Sequence, residues 1–261
     1  RSGAEQPGDI CHGRTVSEVV ESRLGGYAEG DIVFNTNGWQ AWGLTGANID
    51  VFGYMFPRKI DPILAPISTA IGVMGMLGLT AYAGLVVQCE PKPGETLVVS
   101  AASGGVGQVV CQLGRLYGCR VVAIAGSDEK LEYLKTLGVD AVVSHRSPSF
   151  AEELRQACPD GCDIYFENVG GAVFDGVLPL LNVHARISLC GLISQYGSDD
   201  GQDPRSLWRA RGNAAFERNS VVVHDLFVGN FVAEYQDRFL EEMGGYLRAG
   251  DVRYLEDKRL G

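Results

Sequence analysis

Residues 96–130 read TLVVSAASGGVGQVVCQLGRLYGCRVVAIAGSDEK: an apolar strand, a glycine turn, an amphipathic helix and a second strand. Thr96 to Ala101 is a β-branched apolar run of the kind buried in a parallel sheet. Ala101, Gly104 and Gly107 then form an A-x-x-G-x-x-G variant of the dinucleotide fingerprint, in which glycine lets backbone approach phosphate. From Gly105 on, Val106, Val109, Val110, Leu113 and Leu116 recur at helical spacing. One face of that helix packs on the sheet, and its unpaired N-terminal N–H groups point at the turn, where an anion belongs. Ser103, Gly104, Gly105 and Val106 are therefore candidate contacts for a dinucleotide pyrophosphate. A glycine triplet alone is a weak signal, and the flanking strands and helix are the context that confirms it.

The end of the second strand bears on which dinucleotide. A site for NAD places Asp or Glu about 20 residues past the glycines to accept from the adenosine ribose hydroxyl. This chain has Gly126 and Ser127 instead, which leave room for a 2′-phosphate, and Lys130 in the first turn of the next helix offers a positive partner. The expected cofactor is NADP(H). Asp128 and Glu129 lie between them, with a competing role of charging a helix N-terminus.

The remaining composition sets bounds. With 261 residues, 46% of them hydrophobic, and no uninterrupted apolar span of membrane length, the chain can bury one large or two modest cores. Its net charge of −10 argues against general nucleic-acid binding. Arg205, Arg209 and Arg211 form the one basic cluster, expected as a solvated helix face. Seven cysteines without a paired framework suit a reducing compartment, so the cytoplasm is the expected location.

Strand and helix signals alternate from about residue 95 to 225, and six strands fit a doubly wound parallel sheet with helices between them. The first 70 residues differ: Val16–Glu21, Asp31–Phe34 and Gly38–Leu44 read as short strands between glycine turns, as in a β-barrel or sandwich. A last amphipathic helix is expected over Ala233–Ala249, stopped by Gly250 before Val252–Leu255 extends again.

Six blocks in order carry a family likeness: Trp39–Gln40, GMLGLTAYAGL from Gly75, AASGGVG from Ala101, IAGSDEK from Ile124, YFENVGG from Tyr165 and CGLISQYG from Cys190. The chain resembles the medium-chain dehydrogenase/reductase superfamily, and within it the zinc-independent alkenal/one branch. The resemblance implies a fragment of an N-terminal GroES-like catalytic domain at 1–74, a Rossmann domain at 75–226, and a return toward the catalytic domain at 227–261. Family members extend further at both ends, so a central part of a subunit is expected, commonly of a homodimer.

It also implies a reaction, hydride transfer from NADPH to the β-carbon of an α,β-unsaturated ketone or aldehyde, with no metal and no covalent nucleophile. Tyr196 matches a tyrosine that lies beside the nicotinamide ribose and orients it or stabilises the enolate. Asn168, Cys190, Ser194, Phe227, Val228 and Gly229 match cofactor-contacting positions, and Met76, Thr80 and Tyr82 the helix under the nicotinamide half. Core packing explains Met76 and Tyr82 equally well, and Asn168 has a competing role as a helix cap. One departure is visible: where the family carries a tyrosine near the adenosine phosphate, this chain has His145 and Arg146, either of which can contact phosphate.

A zinc enzyme would need Cys and His ligands and usually a four-cysteine lobe. Cys11 and His12 are adjacent, and Cys158 and Cys162 lack a second pair, so no metal is expected. A quinone reductase of the same superfamily and a non-catalytic NADPH-binding module are the alternatives.

Overall fold

The computed structural model describes residues 6–46, 57–196 and 201–259. The chain forms two compact units, one of Arg1–Leu79 with Val228–Ala249, the other of Thr80–Phe227 with Gly250–Gly261.

In the first unit β1 (Thr15–Glu18), β2 (Ile32–Asn35) and β3 (Arg58–Lys59) form an antiparallel sheet in that order. Thr15 lies opposite Asn35 and Phe34 opposite Arg58. Phe34 is wholly buried, and the Arg58 guanidinium sits 5.6 Å from its ring centre while donating to Met74 O at 2.9 Å. The strand expected over Gly38–Leu44 does not form. The Asn37 side chain bonds the Thr45 hydroxyl and Gln40 Nε2 donates to Asn37 O, which ties the segment into a loop and leaves Trp39, Trp42 and Leu44 exposed. Alternating apolar residues specify a strand only where a neighbouring strand accepts their backbone bonds.

Helix α1 (Met76–Tyr82) leads into the second unit and widens into π-helical turns over Ala83–Cys89. There β4 (Thr96–Val99), β5 (Arg120–Ala125), β6 (Ala141–Ser144), β7 (Cys162–Glu167), β8 (Leu181–Leu189) and β9 (Val222–Asp225) form one sheet of order β6-β5-β4-β7-β8-β9, every pair parallel. The intervening helices are α2 (Gly107–Leu116), α3 (Asp128–Thr136), α4 (Phe150–Ala157), α5 (Gly171–Val177) and α6 (Pro204–Asn219).

Strand residues alternate between two buried faces. Val98, Val122, Tyr165 and Ile187 meet Leu154, Phe174 and Trp208 from α4, α5 and α6 in one apolar cluster. On the opposite face Gly114 of α2 abuts Leu97, and Gly84 of the π-helical turns abuts Phe166. Phe174 and Trp208 stack with ring centres 4.4 Å apart. The register of β7 against β8 shifts between Cys162 and Ile164, and His184, in the part of β8 that the shift leaves unpaired, takes a φ of 64°. Helix α5 ends at Val177, because Pro179 sits in a short 3-10 turn and Leu181 already pairs with Cys162. The chain returns to the first unit in a 3-10 turn at Val228–Phe231 and α7 (Val232–Ala249), which buries Phe239 and Met243. After Gly250 the segment Val252–Leu255 is not a strand; Gln112 captures the backbone N–H and carbonyl of Arg253 in its place. No helix among the described residues is long and apolar enough to cross a membrane.

Candidate active site

Strand order reverses between β4 and β7, and in an open parallel sheet ligands bind outside the carboxyl ends of the strands at such a point. Two side chains join the strands there. Asn168, just past β7, donates from Nδ2 to Ser100 O and from its backbone N–H to Ser100 Oγ, both at 2.8 Å. The amide is thus a tie across the switch point, and the cap of α5 is Gly170 without any side-chain bond.

The glycine turn follows β4 directly. Ala101 holds a φ of 46°, a left-handed conformation that glycine takes more readily, and Gly104 N–H bonds back to Ala101 O at 2.9 Å. Gly104 and Gly105 are exposed and Ser103 and Val106 half-buried, whereas Gly107 is buried against the Ala101 carbonyl. The Gln108, Val109 and Val110 N–H groups of the first turn of α2 donate to Gly104 O and Val106 O, and the exposed turn stands at the positive end of the helix dipole, which suits a phosphate.

Beyond β5 the structure brings three expected residues together. A Cβ on Gly126 would lie 2.6 Å from His145 Nε2 and 3.2 Å from Arg146 Nε. The absent side chain lets an imidazole and a guanidinium pack directly over the Gly126 backbone at the ends of two adjacent strands. His145 is fixed there by its N–H bond to Ala125 O at 3.0 Å. Ser127 is the N-cap residue of α3 without a side-chain bond, and Lys130 stands exposed in the first turn, behind Asp128 and Glu129.

After β8 a loop folds back over the β7 end. Cys190 and Gly191 N–H groups bond Glu167 O, Ile193 N–H bonds Asn168 O, and Ser194 bonds Val169 O through both its N–H and its hydroxyl. Burial pushes the Cys190 thiol up to about 12, with Arg205 nearby opposing the shift, so it is a neutral packing group. Tyr196 is 57% exposed; its hydroxyl accepts from Leu192 N–H at 3.3 Å, which leaves its own proton unspent by that bond.

Of the remaining expected residues, Tyr82 is wholly buried and Thr80 nearly so, in keeping with packing, while Met76 is half-buried. Phe227 is exposed and Val228 buried. The basic cluster is consumed by ion pairs: Arg205 and Arg209 both bind Asp225, and Arg211 binds Asp175. Among the described residues no three His, Cys, Asp or Glu side chains come together as a metal site.

The residue that sequence reasoning passed over is Glu167. It is completely buried, and its carboxylate accepts from Ser100, Tyr165, Val169, Gly170 and Trp208. The available signal was an acidic residue directly after the run Ile164–Phe166 at the end of β7.

Residues 105–236 match the family described as zinc-binding dehydrogenase. The chain is 40% identical over 254 residues to the NADPH-dependent curcumin reductase of Escherichia coli (strain K12), covering 96% of this chain and 70% of that protein. It is 36% identical over 253 residues to the NADP(+)-dependent 2-alkenal reductase of Nicotiana tabacum, with 96% and 70% covered. The crystal structure of CurA in complex with NADPH from Vibrio vulnificus superposes with a TM-score of 0.79 at 39% identity, over 94% of this chain and 71% of that one. The quinone oxidoreductase of Escherichia coli, at 19% identity and a TM-score of 0.68, shares the fold. With its doubly wound sheet, its fingerprint turn and these relatives, the chain belongs to the medium-chain dehydrogenase/reductase family and groups there with the NADP-dependent enone and alkenal reductases.

Proposed function

We propose that this protein reduces the carbon–carbon double bond of α,β-unsaturated ketones or aldehydes with NADPH. The observation that carries the reading is the meeting of His145 and Arg146 over Gly126, in a chain 40% identical to an NADPH-dependent curcumin reductase. With no Cβ on Gly126, His145 and Arg146 close over it and bring an imidazole and a guanidinium together for the extra phosphate of NADP, and the exposed turn before α2 faces the pyrophosphate. Ala101, Ser103, Gly104, Gly105, Val106 and Gly107 hold that end of the cofactor. Ser127, Lys130, His145 and Arg146 surround the adenosine phosphate.

When bound, the reduced nicotinamide would supply a hydride to the β-carbon of the enone. Negative charge would then develop on the carbonyl oxygen, and the enolate would take a proton from solvent at the α-carbon. The protein's task is to place hydrogen-bond donors where that charge appears and to hold the reacting carbons at attack distance. Tyr196 presents a phenol whose proton is not engaged by its bond from Leu192, so it can donate to the enolate or to the nicotinamide ribose. Asn168, Cys190, Ser194 and Phe227 form the wall beside the nicotinamide, and Thr80 and Tyr82 support its underside by packing.

In this reading the first unit is part of a GroES-like catalytic domain and the second the cofactor domain. A homodimer is supported by β9, the last strand of its sheet with Val222 exposed, and is tested by light scattering. A cytoplasmic location is supported by seven cysteines without disulfides.

The experiment is titration with NADPH and NADH followed by addition of a simple enone. NADPH should bind about tenfold or more tightly than NADH, and Arg146→Ala should remove most of that preference. Tyr196→Phe should lower kcat for enone-dependent oxidation by about tenfold or more with little change in NADPH affinity. Tight NADPH binding with quinone consumption and no enone turnover would instead identify a quinone reductase.

A further inference from the structure

No step of the reaction proposed above uses Glu167, yet a fully buried carboxylate sits at the carboxyl end of β7, next to the cofactor wall. Burying such a group is costly unless hydrogen bonds replace its water. Glu167 has them: Oε1 accepts from Tyr165 OH at 2.9 Å, Ser100 Oγ at 3.0 Å, Val169 N–H at 2.8 Å and Gly170 N–H at 3.0 Å, and Oε2 accepts from Trp208 Nε1 at 3.0 Å. Burial and the adjacent carboxylate push the Tyr165 phenol well above its usual value, so it stays a donor.

Two of these donors are backbone N–H groups of the loop after β7. A group needed only for packing the core would be served by Tyr165 and Trp208. Because Glu167 also holds Val169 and Gly170, it fixes the course of a segment that carries the next loop in turn. Asn168 O and Val169 O accept from Ile193 and Ser194, and the Glu167 carbonyl accepts from Cys190 and Gly191. Within that second loop Leu192 N–H reaches the Tyr196 hydroxyl. The enclosed carboxylate, saturated with donors, is in no position to touch substrate.

We propose that Glu167 is a positioning residue whose carboxylate sets the 168–170 loop and, through it, the 190–196 loop that presents Tyr196. The proposal rests on the enone-reductase reading only in its last link, the role of Tyr196.

The test is Glu167→Gln in the full protein. The amide keeps the shape but turns an N–H toward one of the donors, so one of the five bonds becomes a clash. Amide hydrogen exchange should accelerate by about tenfold or more at 168–170 and 190–196 while β4, β5 and β6 keep their protection. The kcat for a simple enone should fall about tenfold with its KM within about twofold, and in a Tyr196→Phe background the same change should cost less than about twofold. Uniform acceleration of exchange across the sheet, unchanged exchange at 190–196, or an equal kcat loss with and without Tyr196 would overturn the proposal. If the wild-type protein binds NADPH and reduces no enone, the reaction assignment fails while the exchange measurement still decides the positioning role. Should Glu167→Gln not fold, Trp208→Phe keeps the aromatic stack on Phe174 and removes one donor, and the same local exchange pattern is expected at smaller size.

Discussion

Ala101 occupies the first position of the fingerprint turn with a φ of 46°, where a Cβ is crowded. Left-handed backbone costs a non-glycine residue roughly 1–2 kcal/mol, and the extra freedom of glycine in the unfolded chain takes back about 0.5–1 kcal/mol. Ala101→Gly is therefore expected to raise unfolding stability by about 0.5–1 kcal/mol in urea denaturation, and a lower midpoint would show that the alanine methyl makes a compensating contact. The alanine was legible as a variant of the motif; its strain was not, because φ is invisible in a string of letters. The same divide runs through the site. Gly126 could be picked out as a small residue at the end of β5 and Arg146 as a departure from the family pattern, and their meeting with His145 required only that β5 and β6 be neighbours. Glu167 was illegible because its meaning depends on partners as distant as 41 and 67 residues along the chain, Trp208 and Ser100.

Elements buried on both faces of the parallel sheet were the easiest to read. Runs such as Leu97–Val99 and Val121–Ala125 are apolar throughout and are punctuated by glycine turns, and a helix of matching period follows each. Helix α1 and the π-helical turns after it carry no such punctuation and were visible only through family likeness. Their placement depends on close approach to the sheet. A Cβ on Gly84 would lie 2.5 Å from Ser188 Oγ and 2.7 Å from both Leu226 and Phe166. Gly84→Ala should consequently cost about 2–3 kcal/mol of stability through displacement of this helical segment, read as a lower denaturation midpoint. An unchanged midpoint would mean that the π-helical turns shift without penalty. The strand expected at Gly38–Leu44 failed for a related reason, since alternation there met no pairing partner and side-chain bonds from Asn37 closed a loop instead.

Across the whole molecule, charge and thiol placement follow burial. Arginines of the α6 cluster pair with Asp225 and Asp175, so the basic face is neutralised locally while the chain as a whole stays acidic at −10. Of seven cysteines, Cys11 alone is exposed, and burial raises the thiols of Cys89, Cys111 and Cys190 to about 12 and those of Cys119 and Cys158 to about 11. A raised thiol pKa means that the reactive thiolate is scarce at pH values well below it. At mildly alkaline pH a thiol reagent is thus expected to modify one cysteine rapidly in the native protein and all seven after denaturation; two or more fast thiols would contradict the packing described around β4, β5 and β7. Substrate choice is a property of the whole subunit, whereas the bond attacked is a property of the site, and it can be measured directly. The decisive measurement is the position of label after turnover of a simple enone with NADPH deuterated at the transferable hydrogen. The account predicts a saturated ketone with deuterium on the β-carbon, and deuterium on the former carbonyl carbon of an allylic alcohol would contradict it.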